Sequence, residues 1–397
     1  MKDIKLPKIT FWRVVFVIIL LAGGYATIKR FWLGLGASTN LTDTYPWGLW
    51  VAFNMYAGVG LSAGGFTVAA VVYIFNLEKY RAVARSSVLL AFLGYMQVGA
   101  TLIYEIGLPW RIWHPVVFHN PHSVMFEVAW CVMLYLTVLA LEFSPVVLER
   151  FGLHKLGHIL HQVMIPVILF GIILSTLHQS SLGTMFLIVP EKLYPLWYSP
   201  KLPIFYFISA VAVGLAMVIF ESALTSRAFG RAFDMDVLNG VARALVVVLA
   251  VFAVMRINFL YVEGSLSYVF MWRFETFMFA LEFVLGAIVP IVILSLRRFR
   301  HNANWLFTGS VLAILGFVLH RGNVVMTGMQ RYLGGSYFPS WEEIAITLLL
   351  IAVPVAVFSI AAKYLPIFPY QKIPAERQSA TSSSRVTGRA IAGASPA

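Results

Sequence analysis

Most of the side chains in this sequence that could do chemistry stand inside runs of apolar residues. The stretch STLHQSSLG, residues 175–183, brings His178, Gln179, Ser180 and Ser181 together within one helical turn. Glu105 and Glu127 fall near the ends of neighbouring apolar runs, and Arg256, Glu275, His320 and Arg321 follow in later ones. Ionisable groups inside a bilayer are costly and usually face a protein interior or a water-filled space, so their placement is informative. A histidine titrates near neutral pH and can both donate and accept hydrogen bonds. With amide and hydroxyl neighbours to orient it, His178 could hold a carbonyl oxygen and exchange a proton there, while nearby carboxylates relay that proton. A hydrophobic molecule with polar carbonyls suits such a site. A quinone has this character, because its reduction adds electrons and protons at the ring oxygens.

Each residue also has a plainer reading. His178 with Gln-Ser-Ser behind it could cap a helix end, giving free carbonyls their partners. Glu275 and Arg256 could form a structural ion pair between neighbouring spans. Glu142 could sit among lipid headgroups, and Glu127 could be a protonated structural carboxyl. The glycine-rich stretch AGVGLSAGG, residues 57–65, lies within an apolar span and reads as close helix packing rather than a nucleotide loop. Haem needs two histidines facing each other across a bundle. His178 with His320, or His158 with His161, are the pairs that share a depth, and four-histidine ligation of two stacked haems has little support.

The elements that must position these groups follow from composition. Of 397 residues, 60% are hydrophobic and 12% charged, against about 25% charged in ordinary soluble domains. A bilayer core of about 30 Å takes roughly 20 apolar residues as helix, and the apolar runs here are too long and too continuous for barrel strands. We therefore expect an all-α integral membrane protein of ten spans, near residues 12–28, 47–75, 87–108, 123–143, 159–177, 203–224, 241–262, 274–296, 305–320 and 344–364. The first span follows Lys2, Lys5 and Lys8 and lacks a clean cleavage site, so it is expected to stay as a helix. The amino terminus, the exits of the even-numbered spans and the carboxyl tail hold most of the basic residues, Lys79, Arg85, Arg150, Lys155, Arg297, Arg298 and Arg300 among them. The opposite face holds fewer: Lys29, Arg30, Arg111, Lys192, Lys201, Arg273, Arg321 and Arg331. This asymmetry places both termini in the cytoplasm and accounts for the net charge of +12 without nucleic acid as a partner. On that topology Glu105, Glu127, His178, Arg256, Glu275, His320 and Arg321 lie toward the outer face. Glu142, His158, His161 and Glu221 lie toward the inner one, and Glu282 falls nearer the middle. The single cysteine, Cys131, cannot form an internal disulfide or hold an iron–sulfur cluster. Residues 1–368 form the membrane domain, and 369–397 read as a disordered cytoplasmic tail. MFEVAW in the fourth span and RFETFM in the eighth are a weak internal echo.

Several strings in order, PWGLWVAF, YIFN, SVMFE, ALEFSPVVLERFG, LHQSSLG, PLW, IFES and YFPSWEE, run through nearly the whole chain. With them the chain resembles the NrfD and polysulfide reductase membrane-subunit family, and within it the HybB-type subunit of hydrogenase-2-like [NiFe] hydrogenases. The resemblance implies two four-helix bundles, about residues 46–178 and 203–325, with the first and last spans flanking them. It implies a haem-free, multi-pass subunit of the bacterial inner membrane. Such a subunit takes electrons from a periplasmic ferredoxin-like iron–sulfur protein, fed by the small and large hydrogenase subunits, and passes them to menaquinone. The quinone pocket would fall at the outer end of the first bundle, implicating Trp47, Glu127 and His178, with Gln179, Ser180 and Glu105 beside them. Glu127, Glu221 and Glu142 become candidate proton carriers, and Arg256, Glu275, His320 and Arg321 a structural group or second site. Two alternatives stay open from the residues alone: the membrane subunit of another quinone oxidoreductase of this family, and a secondary transporter, whose class also carries buried carboxylates and internal repeats.

Overall fold

The computed structural model describes residues 10–74, 76–229 and 234–367. The expected tail, 369–397, and Lys2, Lys5 and Lys8 lie outside them. Ten helices among the described residues are long and apolar enough to cross a membrane: α1 Phe11–Leu33, α2 Trp50–Ile74, α3 Val83–Glu105, α4 Val124–Phe151, α5 Lys155–Ile188, α6 Leu202–Ala228, α7 Met235–Val262, α8 Phe274–Ser295, α9 Ala303–Leu333 and α10 Trp341–Tyr364. The described residues hold no strand. The chain is a multi-pass helical membrane protein.

Two of the helices sit at the centre. The α2 helix touches α3, α5, α6 and α9, while α6 touches α2, α5, α7 and α9, and both are buried along most of their length. They are therefore apolar all round, as helices without a lipid or water face must be. The remaining helices pack antiparallel to their chain neighbours, α4 on α5 and α8 on α9, while α1 lies on α10 and α10 on α3. Outer faces such as Phe11, Trp12, Ile18, Leu21 and Trp32 of α1 stay exposed, as a lipid-facing surface would.

Small residues make the centre possible. The glycines of residues 57–65 each admit a different neighbour: Gly60 the ring of Phe317 in α9, Gly64 the backbone of Gly214 in α6, and Gly65 the Ala91 methyl of α3. The α8–α9 crossing is closer still, for a methyl added at Gly286 would come within 2.5 Å of the Gly316 Cα. Close backbone approach between small residues is how membrane helices gain packing where there is no hydrophobic drive between them.

Several spans run past their expected ends, with consequences for the site. Residues His154–Thr184 form one continuous helix, so His178 does not close the fifth span. The capping reading of STLHQSSLG is thereby corrected: Ser180 Oγ donates to Thr176 O at 3.0 Å within its own helix, and the backbone continues. His320 and Arg321 do not close the ninth span either, since α9 passes through a π-turn at Asn323–Thr327 before ending at Leu333. A second π-turn, Val284–Ile288, interrupts α8 just beyond Glu282, and a longer one, Trp50–Ala57, opens α2. A π-turn adds a residue to one turn and re-aims the side chains beyond it, and such turns recur at functional sites.

The Gly286–Gly316 crossing is backbone on backbone, which no side-chain rotation relieves. Gly316→Ala should destabilise the fold by about 1–3 kcal/mol, read as a lower unfolding temperature of the detergent-solubilised protein, and an unchanged transition would disprove the close crossing.

Candidate functional site

The polar residues named from the sequence gather in three separate groups. The first lies along the α3–α4–α5 interface. On one α5 face Ser175 and Ser181 meet α4, which presents Glu127, Cys131, Tyr135 and Glu142, and His178 between them meets Tyr95 of α3. At the basic-poor end Ser181 Oγ lies 2.6 Å from Glu127 Oε1 and 2.8 Å from its own helix's Leu177 carbonyl. Glu127 itself is exposed. One turn deeper, His178 is completely buried, and its Nδ1 lies 3.3 Å from the Tyr95 hydroxyl of α3. Its Nε2 has no protein partner. Tyr95 packs edge-on against Tyr135 at 4.6 Å between ring centres, and buried Ser175 lies beside both rings. Glu142 follows, half-buried against Gly171 of α5. It stands about 22 Å from Glu127 along α4, at about 1.5 Å per residue.

Gln179 is also completely buried, and its position follows from the backbone of α2. Near the break at Ser62–Ala63, the Ala63 N–H turns to Gly60 O, three residues back, instead of Val59 O, four back. Gln179 Nε2 supplies a donor to Val59 O at 3.2 Å, which leaves its own Oε1 without a partner. Trp47 precedes α2 and stands edge-on to Phe186 at 5.9 Å. Of the two serines it is Ser181, not Ser180, that reaches across to another helix. Glu221 of α6 is buried at the other end of the membrane region and accepts a hydrogen bond from Ser86 at 3.2 Å.

The second group is built around Glu282 of α8. Trp197 Nε1 reaches both carboxylate oxygens at 3.1 Å, Asn323 Nδ2 donates at 2.6 Å, and His320 Nδ1 lies at 3.2 Å. Arg256 stands between the rings of Phe205 and Phe279, donates to Leu196 O at 2.7 Å and contributes positive charge beside Glu282. Arg321 lies on the face of Tyr206, 3.4 Å from the ring centre, and donates to Ser209 at 2.9 Å. The ion pair expected between Arg256 and Glu275 is corrected: Glu275 pairs with Arg331 at 3.7 Å, because Arg256 sits deeper, at the level of Glu282.

The third group ties α1 and α10 to the rest and takes in Glu105. Arg30, almost fully buried, donates to the backbone oxygens of Tyr104 and Ile106, both at 2.8 Å, next to Glu105. Lys29 pairs with Glu342. Glu343 closes a capping box with Ser340, takes the Asn40 N–H at 3.0 Å and accepts from the Tyr337 hydroxyl. Tyr337 stacks on Tyr45. Burial pushes both phenols well above the ordinary tyrosine range, so they stay protonated and available as donors. Glu105 thus belongs with Arg30, and its contacts are not those of the His178 group.

The sequence pointed to His178 and Glu127 but not to Tyr95, Tyr135 or Trp197, since an aromatic residue in an apolar run carries no mark of its hydroxyl or indole being needed. Glu343 did carry a signal: Ser340 followed three residues later by glutamate is a capping-box spacing.

Fold and site together define a polytopic helical membrane protein whose helix groups enclose polar residues, one of them reaching an exposed carboxylate. The chain belongs to the NrfD family: residues 37–332 match the family described as polysulphide reductase, NrfD. It is 32% identical over 376 residues to the probable Ni/Fe-hydrogenase 2 b-type cytochrome subunit of Escherichia coli, spanning 93% of this chain and 94% of that one. The menaquinone reductase integral membrane subunit of Nitratidesulfovibrio vulgaris is 28% identical over 400 residues, spanning 92% and 94%. Another protein of that organism is 36% identical over 370 residues, spanning 89% and 93%.

The third group gives a stability test. Tyr337→Phe removes the donor to Glu343 and the acceptor for the Leu49 N–H. It should cost about 1–3 kcal/mol, seen as a lower thermal transition and faster proteolysis of the α9–α10 connection; wild-type behaviour in both assays would contradict that role.

Proposed function

We propose that this chain is the quinone-reactive subunit of a hydrogen-oxidising complex in the bacterial inner membrane. In this reading a [NiFe] hydrogenase of small and large subunits feeds a ferredoxin-like iron–sulfur protein on the periplasmic, basic-poor face. That protein passes electrons to menaquinone near the same end of α5. Both termini then lie in the cytoplasm, with the basic-rich face. The names of the E. coli and N. vulgaris relatives support the two halves of this reading, hydrogenase and menaquinone.

The observation that carries it is His178. A histidine sealed from solvent, held through Nδ1 by Tyr95 and unpartnered at Nε2, leaves one polar atom for a ligand to satisfy. Gln179 Oε1 is a second such atom. Orphaned buried polar atoms are uncommon in native proteins and call for an explanation. His178 and Gln179 would orient the quinone carbonyl, with Trp47 and Phe186 supplying apolar ring surface. Reduction to the quinol takes two electrons and two protons, and Glu127, through Ser181, is the exposed acid closest to this end of the path. Glu142 and Glu221 serve as carriers toward the cytoplasmic side.

We read the chain as free of haem and iron–sulfur clusters. His320 opens on a cavity of about 30 Å³, space for about two or three waters, where a ligand of haem size takes several hundred. His158 and His161 are exposed on α5, and a lone cysteine cannot ligate a cluster.

His178→Ala in the assembled complex should abolish hydrogen uptake linked to quinone while hydrogen uptake linked to an artificial dye persists; loss of both, or of neither, would refute the role given to His178. Glu221→Gln should lower quinone-linked turnover in energised membranes several-fold and restore it when an uncoupler is added. Equal rates in both states would remove Glu221 from the proton path.

A further inference from the structure

Helices α7, α8 and α9 hold a buried site that electron transfer to a quinone at His178 does not use. Glu282 is surrounded by donors. Trp197 can only donate, and the Thr327 hydroxyl, donating to Asn323 Oδ1 at 2.9 Å, fixes the Asn323 amide so that its nitrogen faces the carboxylate. Trp197 Nε1 faces both carboxyl oxygens and Asn323 Nδ2 faces Oε2, so His320 Nδ1 is the neighbour whose role depends on its own tautomer. With its hydrogen on Nδ1, donated to Glu282, a neutral His320 ring has Nε2 as a bare acceptor.

That acceptor has no partner in the protein. His320 lines the cavity of about 30 Å³ together with Ser209, Phe252, Arg256, Glu282 and Gly316. The rings of Tyr206 and Phe252 hold the imidazole edge-on at 6.2 and 6.0 Å, and the π-turns just beyond Glu282 and Arg321 bring their helices together around it. A carboxylate behind a histidine, at a largely apolar cavity to which Ser209, Arg256 and Glu282 also bring polar groups, is the arrangement of a general base.

We infer that Glu282, His320 and this cavity form a buried proton-holding site: at rest His320 is neutral with its hydrogen on Nδ1, and a proton delivered by water in the cavity is bound at Nε2. The incoming proton leaves a water behind as a neutral molecule, and the imidazolium produced is stabilised by Glu282. Every element around the ring contributes to the balance. Glu282 of α8, Arg256 of α7 and Arg321 of α9 are the charged groups that face it. Tyr206 and Ser209 of α6 are neutral hydroxyls beside it. One carboxylate and two guanidiniums thus surround the ring, in a span where any ionisable group is costly and marks function. This site stands apart from the quinone reading and needs no donor subunit to be examined.

The test is nitrogen-15 NMR of the full chain in lipid bilayers with labelled histidine. At neutral pH an unprotonated Nε2 signal should be present in the wild type and missing in His320→Gln, and it should convert to imidazolium as the pH is lowered toward 4. In Glu282→Gln that conversion should need about tenfold more protons, one pH unit lower, and in Arg256→Gln about tenfold fewer. A protonated Nε2 at neutral pH, a signal unmoved between pH 8 and 4, or variants that leave the conversion where it is would each overturn the assignment; once His320→Gln has identified the signal among the nine histidines, the first two are read on the wild type and do not depend on how Glu282→Gln and Arg256→Gln fold.

Discussion

A polar group within the hydrocarbon of a bilayer cannot fall back on water, so each one must find its partner inside the protein. That constraint organises this molecule. Glu282 satisfies it by drawing on three donors from two different segments, Trp197 ahead of α6 and His320 and Asn323 on α9. Arg321 satisfies it partly through the faces of Tyr206 and Phe317. Helices that would otherwise be regular turn π next to these groups. Glycines at the crossings let the backbones come near enough for short side chains to reach.

The two interior groups meet the same constraint in different ways. Around Glu282 the carboxylate is saturated, and the histidine beside it lines a small cavity with one nitrogen unpartnered. Around His178 three atoms are left open, Ser175 Oγ, His178 Nε2 and Gln179 Oε1, and Ser181 links the group to the exposed carboxylate of Glu127. A saturated, enclosed group suits holding a charge in place. An incomplete group with an exposed acid at its rim suits a ligand that arrives and leaves from the side. The α1–α10 group does neither: its ion pairs and capping box fasten the outermost helices to the core, and Glu105 is drawn into it by Arg30.

Much of the architecture was legible in order along the chain. Apolar runs of membrane length marked all ten helices, because crossing the hydrocarbon demands length and hydrophobicity whatever the partners are. Helix ends were less legible: His178 and His320 looked terminal, since polar residues in an apolar run resemble an exit from the membrane. Both sit inside longer helices whose polar side chains face protein instead of water. Of the candidate residues, His178, Glu127 and Ser181 were recognisable as ionisable or hydroxyl groups out of place. Tyr95 was not, because it is as common in an apolar span as any other aromatic residue.

By itself, the sequence determined that this is a multi-pass helical membrane protein, marked the ten spans found among the described residues, carried the strings that bring it into its family, and identified the few ionisable groups confined within the spans. Only the tertiary structure decided which of those groups meet. It set Glu105 with Arg30 instead of His178, matched Glu275 to Arg331, and put His320 against Glu282. Hydropathy depends on each residue's own transfer into the membrane and can be read along the chain. Pairing depends on the rotation of one helix against another, which glycine contacts and π-turns decide from opposite ends of the sequence.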